Sequence, residues 1–442
     1  MPKILRRILF WTFIVLFVVT APLLVLYTAG FRLGTGGQVV RTGILSVSTI
    51  PRASGIEINH KPNRLRTPAV IKNLVPRTYT LTFTREGFHP WEREVAIQSQ
   101  ITTFFESVVL WMRVEPTLLE TQSTSIVADP TKKRIASIQT TGAWTEIWIE
   151  ELEDGDRFLI ARFAGTAKDA LALSWSPDGT RLLLGSDVEG VFVVHADGSQ
   201  RASVDDLISA PPEGIWWDEG APHTLLVATT AQTLTLDPDT HQTDRLLSFP
   251  TQTSLRSDGT VYFTRDHAGQ TIVVRQTTAS EEPLALLPRG TYRFMDSRLP
   301  YLLLQETDRN RLYLLDTVVR DQPILLQTEA STHAWSPKRN ELLYTNGFEA
   351  HIFQAESGRD ILLTRVSEKI LDVTWHPEGT AVVLAHPSGL VAYDVTHDQG
   401  FVTTPLQQVG SAADVFIDDK GRFLYFQGTV DGVFGLYRQA IK

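Results

Sequence analysis

The sequence predicts an all-β protein carried behind a single membrane-spanning helix. Three observations predict it. Ile8 to Phe31 is an uncharged run of 24 residues. Residues 44–113 alternate apolar and polar side chains, and a tight-turn motif recurs at intervals of about 40 residues from there to the C-terminus.

The apolar run comes first. Most residues from Ile8 to Tyr27 are Leu, Ile, Val or Phe, and twenty helical residues cross a hydrocarbon layer of about 30 Å. Trp11 and Tyr27 sit near its ends, where amphipathic rings favour the headgroup level. Pro22 kinks such a helix without abolishing it. A cleaved signal peptide has a shorter apolar core that ends in a small-x-small site, and Thr28-Ala29-Gly30 matches that weakly, so a retained anchor over residues 8–31 is expected. Lys3, Arg6 and Arg7 lie in the preceding tail, residues 1–7, and hold it in the cytoplasm. The bulk of the chain is then expected outside the cell membrane. Residues 32–43 read as a linker, with Gly34-Thr35-Gly36-Gly37 a flexible tether. Those glycines lack the strand-to-helix setting of a phosphate loop.

Charge is distributed unevenly. Residues 1–41 carry +5 and residues 42–113 carry +4, so the total of −9 leaves −18 for the remainder. That large acidic part repels polyanions, and nucleic acid is not an expected partner. The chain has no cysteine, which excludes disulfides, thiolate catalysis, Cys-ligated zinc and iron–sulfur clusters.

Residues 44–113 form a small β domain. In Arg77 to Thr84, Tyr79, Leu81 and Phe83 face one way and the intervening threonines the other. Pro51, Pro62, Pro68, Pro76 and Gly87 punctuate the strands. The order Pro51-Arg52-Ala53-Ser54, Thr67-Pro68, Leu74 to Tyr79, then Glu86-Gly87-Phe88 with Trp91, resembles the PEGA domain. That resemblance implies a small antiparallel β-sandwich acting as a spacer or a carbohydrate-proximal module. Two positions depart from its pattern: Arg52-Ala53 replaces Glu-Gly, and Arg77-Thr78 replaces the glycine before Tyr79.

Residues 114–442 carry the repeat. Its clearest copies are Trp175-Ser176-Pro177-Asp178-Gly179, Trp335-Ser336-Pro337 and Trp375-His376-Pro377-Glu378-Gly379. Weaker ones occur at Leu255 to Thr260 and Ile417 to Arg422, and degenerate ones at Val127 to Pro130, Trp217 to Gly220 and Asp296 to Arg298. Proline presets φ at the first central position and glycine accepts positive φ at the last. Apolar runs flank each turn, as in Leu171-Ala172-Leu173 and Leu182-Leu183-Leu184, and a further strand follows. Four strands per copy make a propeller blade. Eight copies predict eight blades; seven, with one copy outside the ring, is the alternative. Pro116 to Thr121 mirrors Pro323 to Thr328, while the last copy stops one strand short. A strand near 116–121 therefore closes the ring on the last blade and removes an exposed edge. The repeat resembles the TolB-type, WD-like propellers, which implies the fold and leaves function open.

No catalytic machinery is legible. The histidines are scattered without metal-ligand spacing, no nucleophile elbow is present, and neither a metal nor a cofactor is expected. Asp205-Asp206 and Asp418-Asp419 read as solvated loop charges. Trp175, Trp335 and Trp375 recur at one repeat position and, with Pro177, Asp178, Gly179, Pro337, Pro377 and Gly379, are structural. Trp144, Trp148, Trp216 and Trp217 read as out of register, so Trp216, Trp217 and Trp144 are the candidate contacts for a ligand or partner. The expected function is a non-enzymatic envelope scaffold that holds a protein or glycan. The alternative is an envelope lyase or glycosidase with its site on the propeller. Convergent, perturbed acids in the axial channel favour the second, and an exposed aromatic patch favours the first.

Overall fold

The computed structural model describes residues 3–28, 30–33, 38–121, 123–164, 172–186, 190–397 and 400–442. Ala29, the tether at residues 34–37 and Leu171 lie outside them. Two compact units emerge: residues 1–114 with 393–404 and Lys442, and residues 115–392 with 405–441.

The first unit begins with the helix Lys3–Thr28, which is apolar and long enough over residues 6–28 to cross a membrane. A signal sequence would share those properties. Its threonines return their hydroxyls to the backbone, Thr12 to Ile8 O at 2.9 Å and Thr20 to Leu16 O at 2.7 Å, which satisfies those two hydroxyls in an apolar surrounding. Beyond it, Phe31–Leu33 pairs antiparallel with Val39–Arg41; the predicted linker thus contains a short hairpin.

Two sheets follow. Gly43–Ile50 lies between Ala69–Leu74 and Thr102–Val109, and the second sheet runs Lys61–Arg66, Gly55–Ile58, Arg77–Thr84, Trp91–Ile97. The alternation read in Arg77–Thr84 is realised: Tyr79, Leu81 and Phe83 are buried together with Leu45, Val47, Ile56 and Trp91.

Residues 117–440 contain eight four-stranded antiparallel sheets among the described residues. Blades 1 to 7 occupy residues 123–164, 172–203, 212–247, 254–287, 292–329, 332–365 and 372–408. Blade 8 takes three strands from residues 410–440 and its fourth from Thr117–Thr121. In that closure Thr117 stands opposite Arg438 and Leu118 opposite Tyr437. Thr332–Trp335 lies against Asp372–Trp375, that strand against Gly410–Ile417, and that one against Ser123–Ala128. The first strands therefore surround the axis, and the ring shuts between blades 8 and 1.

One helix interrupts this unit among the described residues, contrary to the purely β expectation. Val204–Leu207 is a single turn whose N-cap, Ser203, accepts from Asp206 N at 3.3 Å. It replaces part of the outer strand of blade 2, which is only Arg201–Ser203.

The repeated turn is built by the residue after the tryptophan position. Ser176 Oγ accepts from Arg181 N at 2.9 Å. Asp129 Oδ1 accepts from Lys133 N and Arg134 N at 2.7 and 2.9 Å, and Asp418 Oδ1 from Arg422 N and Phe423 N at 2.6 and 2.8 Å. Asp418 is buried, so it is a turn cap, not a solvated charge. Asp205 is likewise engaged, accepting from Val191 N at 2.9 Å.

Candidate functional site

Trp175, Trp335 and Trp375 are buried at the ends of first strands. Each indole N–H crosses to a carbonyl of the preceding blade: Trp175 to Val127 at 3.0 Å, Trp335 to Asp296 at 2.6 Å, Trp375 to Ala334 at 3.0 Å. Trp217 does the same, to Ser174 at 3.1 Å. It therefore belongs to the repeated position, and the out-of-register reading is corrected; the Trp-Asp-Glu-Gly turn that follows it had lost its proline. Trp216 turns the other way, to Ser254 O at 2.7 Å. Trp144 is 45% exposed, with the Arg162 guanidinium 5.6 Å from its ring. Of the three nominated tryptophans, Trp144 is the one that presents a surface.

The turn residues take their expected places. Gly179 and Gly379 have φ of 71° and 70°, and their N–H groups bond Ser176 O and His376 O at 2.9 and 2.8 Å. A Cβ on Gly179 would stand 2.7 Å from Asp129 Oδ2 of blade 1. Asp178 accepts from Ser176 Oγ at 2.6 Å and Thr180 N at 3.1 Å. Pro337 lies in the turn closed by Ser336 N to Glu341 O at 2.8 Å, and Pro377 in the one closed by His376 N to Ala381 O at 2.9 Å.

The axis gathers titratable groups that sequence reading missed. At the first turn of blade 3, confinement by protein and the nearby Asp296 and Asp218 push the Glu219 carboxyl up to about 7. Burial raises Asp296 of blade 5, against the pull of Arg298. Confinement and the Arg298 charge lower Lys132 of blade 1. Glu219 and Asp296 are nevertheless exposed to water. Side chains from the first turns of blades 1, 3 and 5 thus sense one another's charge.

A second group lies at the other end of the first strands. Asp372 accepts from the Thr332 hydroxyl at 3.1 Å and from Val415 N at 2.8 Å, bridging blades 6, 7 and 8. Burial and the Asp372 charge push Asp414 up to about 6, although Ile126 N–H pulls it down. Burial lowers His333 to about 4. An acid raised to about 7, as Glu219 is, can exchange protons at neutral pH. Among the described residues no three His, Asp or Glu side chains are arranged to hold a metal ion.

Apolar side chains are exposed at the tips of the second hairpins. Trp144 in blade 1 and Val433 and Phe434 in the neighbouring blade 8 are each more than 40% exposed. Phe348 of blade 6 is exposed at the same place in its blade.

The solved structures most like this chain include the C-terminal WD40 domain of Sif2, at 12% identity and TM-score 0.49, covering 75% of this chain and 99% of that one. Sqt1 of Saccharomyces cerevisiae matches at 9% identity and TM-score 0.48, with the same coverage. No curated protein matches the chain. In the first unit, the Thr67 hydroxyl accepts from Ser54 N at 3.0 Å and lies 2.6 Å from the Thr49 hydroxyl, all three residues being buried. A PEGA domain occupies residues 42–108.

That hydroxyl cluster explains the Thr-Pro step of the PEGA domain: it ties the turn after Ile50 to the start of Ala69–Leu74. Of the two departures from its pattern, Ala53 has a backbone consequence. Its φ is +62°, a conformation in which a Cβ is crowded. The PEGA domain keeps Tyr79 buried, its hydroxyl donating to Val75 O at 2.9 Å.

Proposed function

We propose that this chain is a single-pass cell-envelope protein. Its N-terminus lies in the cytoplasm, its PEGA domain is a stalk outside the membrane, and its propeller is a scaffold that binds a protein or glycan and catalyses no reaction. The exposed apolar side chains Trp144, Val433 and Phe434, at the second-hairpin tips of two neighbouring blades, carry this reading. Exposed aromatic rings supply much of the energy where partners dock. The apolar helix, whose membrane-length stretch is not buried by the rest of the protein, supports the anchor. Full-length protein crosslinked in envelopes, then compared with a Trp144→Ala/Phe434→Ala variant, tests the scaffold. A partner captured by the parent and lost from the variant is the expected result; identical capture by both overturns it. Because the chain has no cysteine, single cysteines placed in the propeller and probed with a membrane-impermeant maleimide on intact cells test the topology.

A second reading rests on Glu219. A carboxyl raised to about 7 beside Asp296 suits a general acid or base, as in an envelope lyase or glycosidase. Turnover of envelope polysaccharide abolished by Glu219→Gln would favour it.

A further inference from the structure

The apolar helix and the PEGA domain are joined by hydrogen bonds as well as by the chain. Just past the helix, Gly30 N donates to Tyr27 O at 3.2 Å, and Thr42 gives both its N–H and its hydroxyl to Gly30 O at 3.0 Å. Gln100 N donates in turn to Thr42 O at 3.1 Å, and Ile44 N to Ile101 O at 3.1 Å. The turn at residues 98–101 packs closely there, since a Cβ on Gly43 would stand 2.3 Å from Gln98 O.

Strand register shows what else shares this end of the domain. Gly43 stands opposite Leu74, Ile44 opposite Thr102, and Arg77 opposite Ile97. The start of Gly43–Ile50, the turn from Leu74 to Arg77 and the turn from Ile97 to Thr102 therefore form one base, the one the helix enters. Residues 30–33, 38–44, 70–78 and 96–103 build it; they carry Arg32, Arg41, Lys72 and Arg77 and no acid. By register the nearest acid is Glu94, opposite Thr80. Thr80 is three residues along the strand from Arg77, about 10 Å at about 3.4 Å per residue. That exceeds the screening length of about 8 Å at physiological salt, so the base presents one sign of charge.

The cations are held at the surface. The Arg32 guanidinium lies 3.7 Å over the ring of Tyr27, an aromatic residue at the expected headgroup level. Arg41 donates to Gln100 Oε1 at 2.6 Å and lies 4.9 Å over Phe31, and Arg77 lies 4.6 Å over Tyr79. A guanidinium has five N–H donors, so stacking and one hydrogen bond leave several for a phosphate. Arg41, Lys72 and Arg77 are exposed, and Ile101, in the turn, is 50% exposed.

We propose that this base is a docking surface for anionic lipid headgroups: Arg41, Lys72 and Arg77 bind their phosphates, and Ile101 enters the interface. The inference rests on the reading of residues 6–28 as a membrane anchor, which brings the base to the bilayer surface. Attraction of Lys and Arg to anionic lipid acts over about a screening length, and an apolar side chain beside them adds buried area. Docking of the base makes the PEGA domain a stalk that stands on the leaflet the helix leaves.

Full-length protein in nanodiscs tests this, in phosphatidylcholine alone or mixed equally with phosphatidylglycerol. A fluorophore is carried on a single cysteine: Ile101→Cys at the base, Glu86→Cys beyond the other end of Arg77–Thr84, or Leu16→Cys in the helix. Spin-labelled lipid is the quencher, labelled in the headgroup for the first two and in the acyl chain for the third. Leu16→Cys should be quenched in both discs and Glu86→Cys in neither. Ile101→Cys should be quenched more in the anionic discs, and raised salt should remove the excess. Adding Lys72→Gln/Arg77→Gln, both at exposed positions, should lower the docked-to-free ratio by about tenfold or more. The comparison of lipids reads the parent charges and needs no folded variant beyond the labelled one. Quenching at Leu16→Cys with equal quenching of Ile101→Cys in neutral and anionic discs overturns the proposal and leaves the anchor standing. No quenching at Leu16→Cys overturns the anchor reading, and the proposal with it.

Discussion

Trp216 and Trp217 are adjacent in the chain yet bond to different blades. Trp217 donates to Ser174 of blade 2 at 3.1 Å and Trp216 to Ser254 of blade 4 at 2.7 Å. Successive side chains on a strand face opposite sides, so one dipeptide fastens blade 3 to both neighbours. Trp217→Phe keeps most of the ring but strands a carbonyl without its donor, a loss of about 1–2 kcal/mol. Trp216→Phe should cost about 1 kcal/mol. Their seams share no hydrogen-bond partner, so the double variant should lose about the sum. Urea midpoints measure all three; an unchanged midpoint for Trp217→Phe would refute the role given to that bond.

The closure of the ring can be locked covalently. Thr117 and Arg438 stand directly opposite on antiparallel strands, where Cβ atoms are about 4.5–5.5 Å apart, and no native thiol competes. The pair Thr117→Cys/Arg438→Cys should oxidise in air. It should stabilise the propeller by about 3–5 kcal/mol, as bridges across very long loops do, with the gain vanishing on reduction. Failure to oxidise would mean that these two strands are not paired in solution.

Ala53 occupies a left-handed turn position. Relief of its Cβ crowding is worth about 1–2 kcal/mol, and the added freedom of glycine in the unfolded chain returns about 0.5–1 kcal/mol. Ala53→Gly should therefore stabilise the PEGA domain by about 0.5–1 kcal/mol, read as a shift in its thermal midpoint. A lowered midpoint would contradict this.

The axial acids set a pH dependence of known sign. Glu219 and Asp414 are raised in the folded protein, to about 7 and about 6. Folding therefore favours their protonated forms. Their contribution is fully present below the unfolded carboxylate range and is lost as pH rises through 6 to 7. Glu219→Gln and Asp414→Asn should raise thermal stability at pH 8 and leave it nearly unchanged at pH 4. Parallel curves for parent and variants from pH 4 to 8 would rule out the raised acids.

The turns around Trp175, Trp335 and Trp375 were legible because proline and glycine report backbone angles that few other residues adopt. Blade 5 was nearly invisible, since Asp296-Ser297-Arg298 keeps neither residue. Asp418 was misread because an acid beside another acid suggests solvent; its alignment with Ser176 and Asp129 was the available clue. Four residues, Val204–Leu207, are too few to show a helical period. The axial acids and the contacts between blades 2 and 3 depend on which turns the ring brings together. A trace existed there too: His195 and Asp239 are 44 residues apart, and Arg181 and His223 are 42 apart, each close to one repeat.

The strand Thr117–Thr121 leaves the ribosome roughly 300 residues before its partner Val433–Ala440 is made. At roughly 5–20 residues per second, the first strand waits on the order of half a minute for its mate. Throughout that interval it is an unpaired edge, open to aggregation. Export as an extended chain, or a chaperone that occupies Thr117–Thr121 until Val433–Ala440 is made, would answer that exposure. Whichever protects it must release the strand only when Leu436 and Tyr437 have arrived.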